Sequence, residues 1–78
     1  GEVKPARTVA YEILRELLRE ARQFNAKEFR VLASPIVIDL FLEEESQSLA
    51  MLSDFIDKTV SLHPGASYGQ EQFDIVLL

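Results

Sequence analysis

The chain has 78 residues, a net charge of −5 and no cysteine. This length allows one small domain with a single hydrophobic core, since a chain of this size buries only about 60–65% of its unfolded surface. The lack of cysteine excludes disulfides, thiolate metal sites and cysteine nucleophiles. No apolar run reaches the roughly 18–20 residues that span a bilayer, and the polar N-terminus has no signal-peptide pattern. We therefore expect a cytoplasmic protein without membrane association.

The charge is unevenly distributed along the chain. Residues 1–30 contain seven of the eight basic residues and five acids, whereas residues 31–78 contain eight acids and only Lys58. The two parts therefore have net charges of +2 and −7. Because an acidic surface repels nucleic acid at long range, any polyanion contact is expected only on the first part.

The first predicted element is an amphipathic helix. Pro5 and Thr8 are start signals, and Asn25 is a stop signal. Its apolar residues recur at steps of three and four and form one stripe: Ala10, Ile13, Leu14, Leu17, Leu18, Ala21 and Phe24. Such a helix is stable only when its stripe is covered by other elements.

The opposite face of this helix has a basic strip made of Arg15, Arg19 and Arg22. Arginines in a row can hold phosphates without reading sequence, so one interpretation is RNA contact. The acids between them are Glu12, Glu16 and Glu20, and we predict the i,i+3 ion pairs Glu12–Arg15 and Glu16–Arg19. Because these acids cancel much of the field, a solvent-exposed face with ion pairs is the favoured interpretation.

A strand and two helices are predicted next. Residues 29–33 form a short apolar run, which is typical of a strand buried on both faces. Ser34 and Pro35 predict an N-cap and a first helical position. This second helix should end at residues 43–45, because acids at a helix C-terminus oppose the macrodipole. Ser46 or Ser48 is predicted to cap the third helix. The inner face of the second helix is predicted to contain Ile36, Val37, Leu40 and Phe41. The inner face of the third is predicted to contain Leu49, Leu52, Phe55 and Ile56.

Two strands complete the chain. Val60 and Leu62 alternate with polar residues, and residues 64–65, a Pro-Gly pair, end that strand. The last run places Phe73, Ile75 and Leu77 on one side, and Asp74, Val76 and Leu78 on the other. The predicted order is α-β-α-α-β-β. This order indicates an α/β fold, with a small mixed sheet of about three strands packed with about three helices.

The sequence contains no convincing catalytic or metal site. His63 is the only histidine and has no second nitrogen or sulfur ligand, so it is interpreted as an ordinary strand-end residue. Asp39 and Glu43 share a helix face and could hold a hard cation, but a solvated acidic face is the simpler interpretation. No serine has the context of a nucleophile. We predict no catalytic residue, no metal and no cofactor in these 78 residues.

Four segments and the apolar last strand resemble the bacterial ribonuclease E/G family. Residues 8–16 resemble the helix that follows the zinc-binding cysteine motif of that family. Ala33-Ser34-Pro35, Glu44-Glu45-Ser46 and residues 70–74 match its ribonuclease G branch in order and spacing, as does the apolar last strand. The resemblance covers essentially the whole chain. One departure is Pro64-Gly65, where the family usually continues its strand.

The resemblance implies a parent enzyme of a known kind. Members are metal-dependent, single-strand-specific endoribonucleases that mature ribosomal RNA and initiate RNA decay. Their magnesium-holding aspartates, zinc-binding cysteines and RNA-binding parts lie upstream of the match, so none is carried onto a residue here. The corresponding part is the small C-terminal domain, which takes part in subunit assembly in the related ribonuclease E.

The resulting hypothesis is that residues 1–78 are one C-terminal domain, a fragment of such an endoribonuclease, with a noncatalytic packing and oligomerisation role. Its expected partners are further copies of itself and the rest of the parent, with RNA bound only weakly or through the parent. The oligomer would form by strand pairing or by exchange of the first helix. Its apolar interface would contain Phe73, Ile75 and Leu77, or the apolar stripe of the first helix. The alternatives are an RNA-contacting accessory domain that uses Arg15 and its strip, and a free-standing regulatory protein.

Overall fold

The structure is a computed structural model that describes residues 3–78. It confirms the predicted α/β fold and its order of elements. The elements are α1 (Ala6–Gln23), β1 (Glu28–Ala33), α2 (Pro35–Leu42), α3 (Ser46–Ile56), β2 (Thr59–Pro64) and β3 (Phe73–Leu77). No helix in these described residues is long and apolar enough to cross a membrane.

The three strands form one mixed sheet in the order β2-β1-β3. β1 pairs with β2 in parallel, because α2 and α3 form the crossover between them, and with β3 in antiparallel orientation. β1 therefore lies at the centre, and both later strands are edges. In the register, Val31 lies between Leu62 on one side and Ile75 on the other.

One face of this sheet joins the core. Phe29, Val31 and Ala33 of β1 have no solvent exposure, whereas the alternate residues of the same strand are half-buried. The prediction that β1 is buried on both faces is wrong, because the side chains of all three helices meet only the alternate, inward residues of the strands. The inward set from the edge strands packs against this core and comprises Val60, Leu62, Phe73, Ile75 and Leu77.

Helix α1 supplies four fully buried residues, at 9, 10, 13 and 17. Pro5 occupies its N-cap position, as the start signals predicted. The apolar stripe is shorter than expected at its end. Phe24 has extended backbone, with φ −130° and ψ 139°, and its side chain is 50% exposed. Because the helix ends at Gln23, Phe24 leaves the stripe and is not part of the core cluster.

Helix α2 begins as predicted. The Ser34 hydroxyl accepts a hydrogen bond from the Val37 amide at 3.4 Å, and Pro35 is the first helical residue. The buried residues are Val37, Ile38 and Phe41. Ile36 was expected on the inner face but is 59% exposed. The core-facing stripe therefore uses Ile38 in place of Ile36.

Helix α3 differs from the prediction at both ends. Glu45 occupies the N-cap position, and neither Ser46 nor Ser48 caps the helix. The Ser46 hydroxyl donates to the Glu43 carbonyl instead. Leu49, Leu52 and Ile56 pack against the core as expected, whereas Phe55 is 74% exposed. α3 lies at the margin of the core and buries none of its residues completely, so only a narrow stripe of it is covered.

We expect Leu17→Ala in α1 to lower the free energy of unfolding by about 2–5 kcal/mol, because it removes a fully buried side chain and leaves a cavity. Leu42→Ala is the matched control, since Leu42 is 63% exposed and its truncation should change stability by less than about 0.5 kcal/mol. Urea denaturation followed by circular dichroism measures both. Equal losses in the two variants would contradict the assigned core.

Candidate functional site

A buried carboxylate connects α1 to the junction between α2 and α3. The Glu45 side chain is only 9% exposed and forms an ion pair with Arg7 of α1. It also accepts hydrogen bonds from the Tyr11 hydroxyl at 3.3 Å and the Ser48 hydroxyl at 2.9 Å. Arg7 donates in addition to the exposed Glu44 at 2.5 Å. The carboxylate of Glu45 thus has three partners that offset its burial.

This network corrects the interpretation of the acidic run 43–45 as a solvated face. Glu43 and Glu44 are exposed, but Glu45 is buried and bridges segments far apart in the sequence. The Tyr11 hydroxyl, followed by the carboxylates of Glu45 and Glu44, raises the pKa of Arg7. Arg7 and Tyr11 are one helical turn apart, so their spacing places them on one face of α1, but nothing in the sequence identifies Glu45 as their partner.

We expect Glu45→Ala to destabilise the protein by about 1–3 kcal/mol, because it leaves buried hydrogen-bonding groups without their acceptor. Glu44→Ala is the matched control. Its side chain is 63% exposed, so its removal should cost less than about 0.5 kcal/mol. Thermal or urea unfolding of both variants distinguishes them. If Glu45→Ala were as stable as Glu44→Ala, the carboxylate would not hold these helices together.

The basic strip lines one shallow groove on α1. Arg15, Arg19 and Arg22 border it together with Leu18 and Gln23. The strip thus combines three guanidinium groups with an apolar residue between them. This arrangement can hold a phosphate or carboxylate while an apolar group rests on Leu18.

The strip has fewer ion pairs than the sequence predicted. The Glu16–Arg19 pair is present at 4.0 Å, the outer limit of such a contact. The predicted Glu12–Arg15 pair is absent, because Glu12 binds Lys4 at 2.8 Å. The hydrogen bond that Lys4 donates to the Glu12 carboxylate also raises the pKa of Lys4. As a result, within residues 3–78 the arginine at position 15 has no ion-pair partner.

The candidates for catalysis and metal binding lie apart from one another. His63 is exposed near the end of β2, beside Leu32 of β1. Asp39 on α2 and Glu43, the residue that follows α2, are both exposed, and the Glu43 amide donates to the Asp39 carbonyl at 3.0 Å. Among the residues the structure describes, no group of three or more potential metal ligands comes together.

The predicted interface residues belong to β3. Phe73, Ile75 and Leu77 are half-buried, and their side chains pack against the core. Val76 and Leu78 point to the opposite face, where they are 40% and 48% exposed. β3 is also an edge strand, so one side of its backbone has no neighbour among the described strands. Whether these residues form an interface stays a prediction.

The loop between β2 and β3 is held at several points. β2 ends at Pro64, and the Gly65 amide donates to the Ala33 carbonyl at 2.8 Å. The Tyr68 hydroxyl donates to Asp74 at 2.6 Å, and this hydrogen bond raises the pKa of Tyr68. A side chain at Gly65 would bring its Cβ within 2.6 Å of the Tyr68 ring. The glycine therefore leaves room for the ring.

Comparison with known proteins gives one consistent relationship. No family model matches the chain. Ribonuclease G of Escherichia coli (strain K12) is 42% identical over 78 residues, which is all of this chain and 16% of that protein. Ribonuclease G of Salmonella typhimurium is 41% identical over 78 residues, and that of Haemophilus influenzae 42% over 79, with the same coverage. By this similarity over its whole length, the chain belongs with ribonuclease G and corresponds to a part of such a protein.

Proposed function

We propose that this chain is a noncatalytic C-terminal packing and oligomerisation domain of a ribonuclease G-like, single-strand-specific endoribonuclease. The parent would act in the cytoplasm in ribosomal RNA maturation and RNA decay. The observation that carries the proposal is the match of the whole chain to only 16% of ribonuclease G. Such a match favours a part of a larger enzyme over a free-standing regulatory protein.

The arrangement of polar groups supports a noncatalytic role. Phosphodiester hydrolysis with a metal requires carboxylates that converge on an ion and on the scissile phosphate. Asp39 on α2 and Glu43 just after its end are both exposed, and His63 lies on a different element. The magnesium and zinc that the resemblance implies would be bound by the parent, outside these residues.

Exposed apolar side chains support a packing role. Apolar surface that is left open on a small domain commonly marks a contact with another protein or domain. Val76 and Leu78 lie on the open face of the sheet, and Met51 and Phe55 lie one turn apart on α3. The proposed partners of these surfaces are a second copy of the chain and the rest of the parent enzyme.

The groove on α1 favours one other function. Because Glu12 is held by Lys4, Arg15 is available for an external anion, which supports an accessory contact with RNA through Arg15, Arg19 and Arg22. The net charge of −7 on residues 31–78 opposes that contact. The groove therefore supports weak positioning of RNA held by the parent, and not independent binding.

We expect the chain to self-associate. In sedimentation equilibrium over a hundredfold range of protein concentration, the weight-average mass should rise from near 8.9 kDa towards a dimer or a larger species. Apolar side chains exposed in the monomer are buried when the copies meet, so dilution should reverse the association. A mass near 8.9 kDa at every concentration would contradict the oligomerisation role.

We expect RNA binding by the isolated chain to be weaker than about 10⁻⁴ M at physiological salt, at the weak edge of nonspecific association. The same RNA, incubated with magnesium and run on a denaturing gel, should stay intact. Arg15→Ala with Arg19→Ala is the test variant, and Arg30→Ala is the control, because Arg30 already contacts Glu28. Micromolar affinity that only the test variant abolishes would favour the accessory-domain function.

A further inference from the structure

The hydrogen bonds of β3 show which of its backbone groups are free. The Leu78 amide donates to the Glu28 carbonyl at 2.9 Å, and the Glu28 amide donates back at 3.4 Å. In an antiparallel ladder such bonded pairs alternate with non-bonded ones. Val76 and Asp74, which oppose Arg30 and Leu32, therefore bond to β1 as well.

The residues between them have the opposite orientation. The amides and carbonyls of Phe73, Ile75 and Leu77 point away from β1, towards the free edge of the sheet. No backbone bond from a turn, loop or cap of residues 3–78 reaches these groups. The three residues thus fill the core with their side chains and present their backbone to a further strand.

This edge has little that would prevent strand addition. Edge strands are usually protected by proline, by lysine, by bulges or by inward charges. β3 has no proline or lysine, and Asp74 is its one charged residue. The other edge is different, because β2 ends in Pro64, which has no amide hydrogen to donate, and contacts α2.

We propose that β3 pairs with β3 of a second copy, antiparallel and about a two-fold axis at Ile75, so that the two sheets join into one. This inference rests on the oligomerisation role proposed above and names its partner and its contact. A two-fold axis places the same edge of both copies together, which closes the assembly as a dimer. The inward side chains of both strands then form a core that continues across the seam.

The register follows from the free groups and from Asp74. Within β3 only Phe73, Ile75 and Leu77 have free groups, so the central one, Ile75, should face one of these three in the second copy, which leaves three registers. With Ile75 opposite Ile75, Phe73 faces Leu77, and every free group is paired. With Ile75 opposite Phe73, Asp74 faces Asp74, and like charges at that position are destabilising. With Ile75 opposite Leu77, Phe73 has no partner residue in β3. The first register is therefore favoured.

The favoured register makes a prediction about charge at position 76. Val76 is 40% exposed on the outer face and would lie opposite Asp74 of the second copy. We expect Val76→Asp to weaken the dimer by about threefold or more, because two symmetric pairs of carboxylates then face each other. Val76→Lys should tighten it by a similar factor, because lysine then faces aspartate. Sedimentation equilibrium measures both dissociation constants.

The other two registers predict different patterns. With Ile75 opposite Phe73, position 76 faces Gln72, so the sign of its charge should not matter. With Ile75 opposite Leu77, position 76 faces itself, and both variants should weaken the dimer. Thr59→Asp and Thr59→Lys are the matched controls, since Thr59 is exposed on the same face of the opposite edge. They should leave the dissociation constant unchanged.

Amide hydrogen exchange in the unmodified chain tests the seam independently of any variant. At high protein concentration the amides of Phe73, Ile75 and Leu77 should exchange more slowly than at low concentration. The amides of Asp74 and Val76 are internal controls, because their bonds to β1 protect them at both concentrations. A dimer in which the first three amides show no such slowing would overturn the seam while oligomerisation stands. Slowing of these amides without sensitivity to charge at position 76 would overturn the favoured register. A chain that stays monomeric would overturn both.

Discussion

The central constraint on this protein is that its three helices supply one core to one face of a three-stranded sheet. β1 lies in the middle of that sheet and contributes Phe29, Val31 and Ala33, which are all fully buried. With 78 residues there is one layer of helices against the sheet in the described chain, so the alternate strand residues stay open to solvent. The exposure of Val76 and Leu78 and the free edge of β3 both follow from this arrangement.

The polar network at Glu45 complements the hydrophobic core. Burying a carboxylate is costly unless it is paired and hydrogen-bonded, and Glu45 has partners from α1 and from its own helix. Apolar packing alone allows helices to slide against one another, whereas this contact is satisfied in one arrangement. The network therefore favours one orientation of α1 relative to α2 and α3.

One ion pair predicted from local spacing on the surface does not form, because its acid binds a lysine farther away in the sequence. Glu12 and Arg15 have a spacing that allows an ion pair, yet Glu12 binds Lys4, which precedes the helix. Exposed ion pairs of either kind differ by only a few tenths of a kcal/mol, so the path of the chain before α1 decides between them. The result is a groove on α1 in which Arg15 has no ion-pair partner among residues 3–78. A second surface, the apolar edge of β3, lies elsewhere. The two surfaces lie on different elements and suit different partners.

The sequence by itself determined the local elements of this protein. The three- and four-residue periodicity of α1, the Ser34–Pro35 start of α2 and the alternation in β3 depend only on neighbouring residues. These local preferences agree with the final fold, so the order of elements was predictable. The whole-chain resemblance was visible in the same way, because it depends on residue identity and spacing alone.

Only the tertiary structure decided how these elements meet. Phe55 fits the apolar pattern of α3 but is exposed, because α3 lies at the margin of the core. Glu45 belongs to an acidic run but is buried, because α1 brings Arg7 to it across a long stretch of chain. β3 pairs with β1 and not with its sequence neighbour β2. Periodicity defines which face of an element is apolar, but the packing of distant segments determines which part of that face is covered and which strand edge is left free.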